Sequence, residues 1–189
     1  HRSPSRGLGD VYKRQPLIPT GKGTSASHLS WTDDKFVEGE ASIIEISGVY
    51  KKYHCPMART VLLGKPDQKK IDTMKRTREA LQAGIDVTKP GNTADDVAQA
   101  FWKVLDKYGI EKKSRTGYSI GIGYPPDWGE HTLNIQKGDK TVLQKNVCFH
   151  MIAVMQFGEW GVESSESIRV SDNGAENFYK FPDELHIKG

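Results

Sequence analysis

Hydrophobic and polar positions form their first regular pattern in two apolar runs on either side of residue 50. The runs are ASIIEIS at 41–47 and MARTVLL at 57–63, and Gly48 lies between them. Short apolar runs bounded by glycine and polar residues are typical of β-strands. The pattern therefore predicts a hairpin or meander, with Glu45 inside its first strand.

Two amphipathic helices are predicted next, because apolar residues recur at helical spacing over 67–85 and again after 93. The apolar faces consist of Ile71, Met74, Leu81 and Ile85, and then of Val97, Phe101, Val104, Leu105 and Tyr108. The segment KPGNT at 89–93 separates them. Thr93 followed by Asp96 is a variant of the capping box and marks the start of the second helix.

The second half of the chain is rich in glycine and proline and predicts short strands. GYSIGIGYPPDWGEHT at 117–132 indicates a strand and a shaped loop, and 147–155 and 167–170 indicate strands. The Asn-Gly pair in SDNGAE predicts a turn into a last strand at 177–181. Strands, two helices and strands in this order favour an α+β fold, with helices on one face of a largely antiparallel sheet.

Composition and charge limit the class of protein. The 189 residues fit one domain, and 36% hydrophobic with 27% charged residues is typical of a globular chain. Four basic residues and one acidic residue fall within 1–15, so the rest is balanced at 23 basic and 23 acidic residues. The net charge of +3 is thus confined to the first 15 residues, and no nucleic-acid partner is expected. No apolar run is long enough to span a membrane.

The ends and the cysteines give further expectations. Residues 1–15 resemble a non-native extension of the kind found on metagenomic reading frames, with a genuine flexible arm as the alternative. The domain is therefore expected to cover 16–189. Cys55 and Cys148 show no paired spacing, which argues against a disulfide framework and favours a cytoplasmic location.

Four motifs in a fixed order carry a family resemblance: HLSW at 28–31, EISGVYKKYHCPMART at 45–60, GYSIGIGYPPDWGEHT at 117–132 and WGVESSES at 160–167. With KPGNT and DNGAE, this order resembles the pita-bread superfamily of creatinase, methionine aminopeptidase and prolidase, and within it the ectoine hydrolases. The resemblance implies the pita-bread fold, a curved, mostly antiparallel sheet with helices on its outer face. It also implies the catalytic half of a longer protein, without the family's N-terminal domain, and a homodimer in the full-length form.

The resemblance also implies that the metal site of the superfamily is lost. Metal-dependent members hold two divalent ions with two aspartates, one histidine and two glutamates. These positions fall on Glu45, Pro56, Tyr118, Ile152 and Glu166. Proline and isoleucine have no side-chain donor and neutral tyrosine is a poor one, so we expect neither a metal ion nor another cofactor.

An ectoine hydrolase would open the cyclic amidine ring of ectoine to N-acetyl-diaminobutyrate. By this resemblance Glu45 is the nucleophile or the base for water, and His28, at the position of creatinase's catalytic histidine, is the general acid/base. Glu166 would face the cationic amidinium as the third catalytic residue. The expected substrate-binding residues are Glu163, Tyr118, Tyr124, Trp128, His131 and Arg59.

Each assignment has a plainer alternative. Glu45 could face water from an edge strand, His28 could cap a loop, and Tyr118, Tyr124 and Trp128 could be core aromatics. Glu163 and Glu166 are three residues apart, so in a regular strand their side chains point to opposite faces. Two other functions also stay open: a metal-dependent Xaa-Pro aminopeptidase or prolidase, and a small-molecule binding domain without catalysis.

Overall fold

The computed structural model of the protein describes residues 16–26, 28–29, 33–124, 127–182 and 185–189. A short 3-10 helix lies at Gly21–Ser25, ahead of the strands and the two α-helices. In chain order these elements are β1 (Ala41–Tyr50), β2 (Tyr53–Leu63), α1 (Gln68–Asp86), α2 (Ala94–Lys107), β3 (Gly117–Ile120), β4 (Gly129–Ile135), β5 (Cys148–Gln156), β6 (Gly161–Ser171), β7 (Gly174–Asn177) and β8 (His186–Lys188).

The predicted hairpin is present, but its turn is elsewhere. β1 and β2 pair antiparallel without interruption, from Ala41 opposite Leu62 to Tyr50 opposite Tyr53. The turn residues Lys51 and Lys52 both have positive φ, 47° and 69°. Two left-handed residues match the right-handed twist of the strands, as in a type I′ turn. The sequence prediction placed the break at glycine instead, because lysine is uncommon in this backbone region.

Both helices lie where the apolar pattern predicted them. Thr93 and Asp96 form the expected capping box, in which the Asp96 amide donates to Thr93 Oγ1 at 3.1 Å. The helices pack against each other and against the outer face of the five-stranded sheet. The buried core between them includes Phe101, Leu105 and Met151.

The strands form two sheets. One has the order β1-β2-β8, with β8 parallel to β2, and the other has the order β4-β3-β5-β6-β7, in which all pairs are antiparallel. β6 begins at Gly161, six residues before the predicted start, since the serines and glutamates of its first half are buried rather than solvated. The predicted Asn-Gly turn is present, but β7 covers Gly174–Asn177 instead of 177–181.

The hairpin packs across the inner face of β6 through hydrogen bonds between side chains and backbone. Thr60 Oγ1 donates to the Glu163 carbonyl at 2.8 Å, and Ser167 Oγ donates to the Pro56 carbonyl at 2.6 Å. The concave inner faces of both sheets therefore meet, while the helices cover the outside. In the part of the chain described here, neither helix has the length and hydropathy needed to cross a bilayer.

Candidate active site

Glu45 points into the space between the sheets. Along β1, Ile43 and Glu45 are buried at 3% and 4% exposure, whereas Ile44 and Ile46 between and beyond them are exposed. This is the alternation of a strand with one face inside. The alternative of a solvated edge-strand glutamate is therefore excluded.

The segment before β1 closes the space above Glu45. The backbone of Leu17 exchanges two hydrogen bonds of 2.9 Å with the backbone of Glu45. The next part of this segment is held by Gly161, whose amide donates to Thr24 Oγ1 at 2.8 Å. This pairing lays the segment that carries His28 over the inner face of β1.

The result is a cavity of about 150 Å³. Its polar and ionisable lining residues include His28, Glu45, Ser114, Arg115, Tyr118 and Glu163. Its apolar walls include Ile43, Ile152 and Val154. Two predicted catalytic residues and two predicted substrate-binding residues thus share one cavity.

Glu163 supplies the second carboxylate of this cavity. It lies on β6 opposite Val154, and its exposed fraction is 8%. Burial, reinforced by the negative charge of Glu45, raises the pKa of Glu163 well above its ordinary value. Two neighbouring carboxylates in a partly apolar cavity thus favour one bound proton between them, and the raised pKa of Glu163 favours its protonated form.

Glu166 does not line this cavity, contrary to the sequence prediction. The pairing of β5 with β6 runs without a bulge from Cys148 opposite Arg169 to Gln156 opposite Gly161, so residues three apart keep opposite faces. Glu166 forms a buried ion pair with Arg59 on the other face. The predicted contact of Glu166 with the substrate is not supported by this placement, and Glu163 is the glutamate of β6 that lines the cavity.

Arg59 is likewise placed away from the cavity by this ion pair. Its Nη1 donates to the carbonyls of Ala58 at 2.9 Å and Ser165 at 2.7 Å, and its guanidinium lies 5.7 Å from the Phe181 ring centroid. A buried arginine with these partners ties β2 to β6. Its predicted contact with substrate is not supported by this placement.

Three other predicted substrate-binding residues also lie outside the lining. Tyr124 is 56% exposed and accepts a hydrogen bond from Lys52 Nζ at 3.3 Å. His131 is exposed and pairs with Asp127 at 2.8 Å. Trp128 is buried, in agreement with the alternative of a core aromatic. Residue spacing alone did not show where the glycine-rich loop places these side chains.

A buried histidine behind the cavity was missed. His150 on β5 contacts the Tyr118 hydroxyl through Nδ1 at 3.0 Å and Ser165 Oγ through Nε2 at 2.7 Å. Ser165 Oγ also accepts from the Ala58 amide at 2.7 Å. Burial lowers the pKa of His150 to about 3, so the imidazole is neutral and fixes the Tyr118 hydroxyl. Its position two residues before Ile152 in a strand was the signal that could have revealed it.

The loop before β3 adds basic groups that the motifs did not indicate. Arg115 and Ser114 line the cavity, and Lys112 Nζ donates to Ser114 Oγ at 2.6 Å. Burial lowers the pKa of Lys112 to about 8. The cavity therefore has acidic groups from β1 and β6 and basic groups from this loop.

The donor set does not fit a two-metal centre. Among the five positions that the resemblance assigns to metal ligands, Glu45, Tyr118 and Ile152 line the cavity, whereas Pro56 and Glu166 do not. Burial raises the pKa of Tyr118, so its hydroxyl stays protonated and is a poor ligand. Within the described ranges, no three histidine, cysteine, aspartate or glutamate side chains are grouped closely enough to hold a metal ion.

Comparison with known proteins places the chain in a family. The sequence model of metallopeptidase family M24 matches residues 4–173. The chain belongs to this family.

Individual relatives agree with the fold and with the predicted resemblance. The chain is 42% identical to the ectoine hydrolase of Halomonas elongata over 181 residues, which cover 95% of this chain and 45% of the relative. The dipeptidase PepE from Mycobacterium ulcerans superimposes with a TM-score of 0.87 at 26% identity, covering 95% of this chain and 48% of that one. The prolidase from Pyrococcus furiosus shares the fold, with a TM-score of 0.82 at 21% identity over 89% of this chain and 49% of that one. The predicted pita-bread fold and superfamily are confirmed, and the chain spans about half the length of these relatives.

Proposed function

We propose that the protein opens the cyclic amidine ring of ectoine by hydrolysis, without a metal ion, to give N-acetyl-diaminobutyrate. The observation that carries this proposal is the meeting of Glu45, Glu163 and His28 in one cavity. The identity of 42% with a protein named ectoine hydrolase supports the substrate. The poor donor set supports the absence of a metal from the reaction.

The charge of the cavity suits the substrate. The amidinium group of ectoine is a cation whose central carbon is electrophilic. Glu45 and Glu163 place two carboxyl groups near each other, and Tyr118 adds an aromatic face. When the cation binds, its positive charge can relieve the repulsion between the two carboxyl groups in place of their shared proton. Alternatively, the proton stays and is transferred later to a nitrogen of the substrate.

The reaction requires a nucleophile at the amidine carbon and a proton for the departing nitrogen. Either the Glu45 carboxylate attacks the carbon directly, or it takes a proton from the water that attacks. The bond from this carbon to one ring nitrogen then breaks, and the nitrogen receives a proton from His28 or Glu163. In the direct route, a water molecule next adds to the same carbon and releases Glu45, so both routes consume one water.

The roles of His28 and Glu163 follow from their environments. An imidazole with an ordinary pKa of ~6.5 exchanges protons near neutral pH. Burial and the charge of Glu45 raise the pKa of Glu163, which favours its protonated form and suits it to act as the acid. Positioned proton transfer of this kind contributes on the order of 10² to 10⁴ in rate.

The test is to incubate the protein with ectoine and to follow by mass spectrometry a product heavier by one water. We expect ring opening by the wild type and its loss in Glu45→Gln, with strong reduction in His28→Ala. A near-normal rate for either variant removes that residue from the mechanism. Ectoine binding by calorimetry without any product contradicts the proposal in favour of a binding domain.

A further inference from the structure

We propose that Arg115 binds the carboxylate of the substrate and so selects cyclic amidines that carry an acid group. This inference rests on the proposed function and extends it to the other end of the substrate. Ectoine is a zwitterion, with a positive amidinium and a negative carboxylate on the same ring. A site that orients it needs a basic group as well as the acidic pair.

Arg115 is the basic group in the right place. In the part of the chain that the structure describes, it is the only arginine or lysine that lines the cavity with Glu45 and Glu163. Guanidinium groups match the planar, two-oxygen geometry of a carboxylate and remain charged at all relevant pH values. The lining thus has an acidic side from β1 and β6 and a basic side from the loop before β3.

The backbone beside Arg115 is held between two strands. The Thr116 amide donates to the Ile135 carbonyl at 2.8 Å, and the Ile152 amide donates to the Thr116 carbonyl at 2.7 Å. Thr116 Oγ1 also donates to the Ile152 carbonyl at 2.8 Å. Arg115 is therefore anchored to β4 and β5 although it precedes β3, so its position is set before a ligand arrives.

The side chain is also oriented. The guanidinium carbon lies 4.7 Å from the centroid of the Tyr118 ring, and Nη1 donates to Asn134 Oδ1. Among the described residues, Asn134 is the only protein acceptor of Arg115, so other N–H groups of the fork are left for a ligand. Tyr118 is itself held by His150, at 3.0 Å from its hydroxyl. The aromatic ring thus supports the arginine on one side and faces the cavity on the other.

Neighbouring groups extend this basic side. Ser114 lines the cavity next to Arg115, and its Oγ accepts from Lys112 Nζ, which leaves the serine O–H to donate. A carboxylate beside Arg115 would gain this hydroxyl as a second donor. Binding at this point would turn the amidine carbon of the ring toward Glu45, on the acidic side.

The experiment compares two substrates that differ only in the acid group. These are ectoine and 2-methyl-1,4,5,6-tetrahydropyrimidine, the same cyclic amidine without its carboxylate. In Arg115→Ala we expect kcat/KM for ectoine to fall about 10- to 100-fold, the range of a hydrogen bond to a charged group. The value for the analogue should change by less than about threefold. Arg115→Gln, which can still bond Asn134, should show the same selective loss.

Arg169→Ala is the matched control, because this arginine of β6 pairs with Glu176 of β7, is partly exposed and lies outside the cavity. It should leave the ratio of the two substrates unchanged. Equal loss for both substrates in Arg115→Ala, or no loss for either, overturns the assignment.

The failure of the proposed function is recognised separately. If the wild type opens neither amidine, ring-opening hydrolysis is overturned. Calorimetric titration with ectoine then tests whether Arg115 binds the carboxylate. A rise of about 10-fold or more in Kd for Arg115→Ala supports the assignment. Equal affinity, or no ectoine binding by the wild type, overturns it.

Discussion

The two glutamates of β6 should respond in opposite ways to the same substitution, although they lie three residues apart. Glu163 faces the cavity with Glu45, whereas Glu166 pairs with Arg59 on the other face. Replacing either by glutamine keeps the shape and removes one negative charge. The pair is therefore a matched test of which glutamate takes part in the reaction.

For Glu166→Gln we expect a loss of stability. The side chains of Arg59 and Glu166 are only 7% and 6% exposed, so the substitution leaves a buried positive charge without its partner. Breaking a buried pair in this way costs about 3–5 kcal/mol. For a chain of this size each kcal/mol lowers Tm by roughly 2–4 °C, so the expected fall is roughly 6–20 °C.

For Glu163→Gln we expect a loss of activity instead. The raised pKa of the wild-type glutamate favours its neutral form, so a neutral amide should cost little stability. Because the glutamine side chain cannot donate a proton as an acid, ectoine turnover should fall on the order of 10²-fold or more.

Thermal unfolding followed by circular dichroism measures the first effect, and ectoine turnover below Tm measures the second. The reasoning is refuted if Glu166→Gln melts like the wild type but loses turnover, while Glu163→Gln keeps its turnover. That result would return Glu166 to the active site and remove Glu163 from it.

Three further predictions concern the walls and the charges of the cavity. A Cβ at Gly161 would lie 2.2 Å from the Thr24 carbonyl oxygen, so Gly161→Ala should lower the free energy of unfolding by about 1–3 kcal/mol and reduce turnover. In the control variant Gly48→Ala, the added Cβ has no atom within 4 Å, so neither effect is expected. Equal urea unfolding curves for the two variants would contradict this. The raised pKa of Glu163 means that the folded protein keeps a proton that the unfolded chain releases. Stability should therefore fall through this group as the pH rises above the ordinary glutamate pKa of 4.5, and the difference in unfolding free energy between Glu163→Gln and the wild type should grow with pH. A difference that stays constant with pH would refute this. His150→Leu removes the imidazole partner of two hydroxyl groups and should lower the free energy of unfolding in urea by about 1–3 kcal/mol. An unchanged urea midpoint would contradict the buried hydrogen-bond network.

The sequence could predict those parts of the fold and site that depend on local periodicity. The short apolar run ASIIEIS placed Glu45 on a strand, and Thr93 with Asp96 located the start of α2, because both signals involve residues close in the chain. The structure shows in addition that the Glu45 face of β1 is the buried one.

The remaining site residues depend on long-range packing. The choice between Glu163 and Glu166 depends on which face of β6 lines the cavity, and local spacing contains no information on that. Arg115 lies in a polar loop without any motif, and only the pairing of β3 with β4 and β5 brings it to the cavity. The first half of β6 lay outside the predicted strand because the partners of its buried polar groups come from the hairpin more than a hundred residues away.

The central claim is that acidic side chains and an imidazole perform the hydrolysis in place of a metal ion. It is tested most directly by measuring ectoine turnover after exhaustive treatment with EDTA, with elemental analysis of the treated protein. The account predicts an unchanged rate in the metal-free wild type and a lost rate in metal-free Glu45→Gln. A rate that disappears with EDTA and returns with manganese, cobalt or zinc would contradict it.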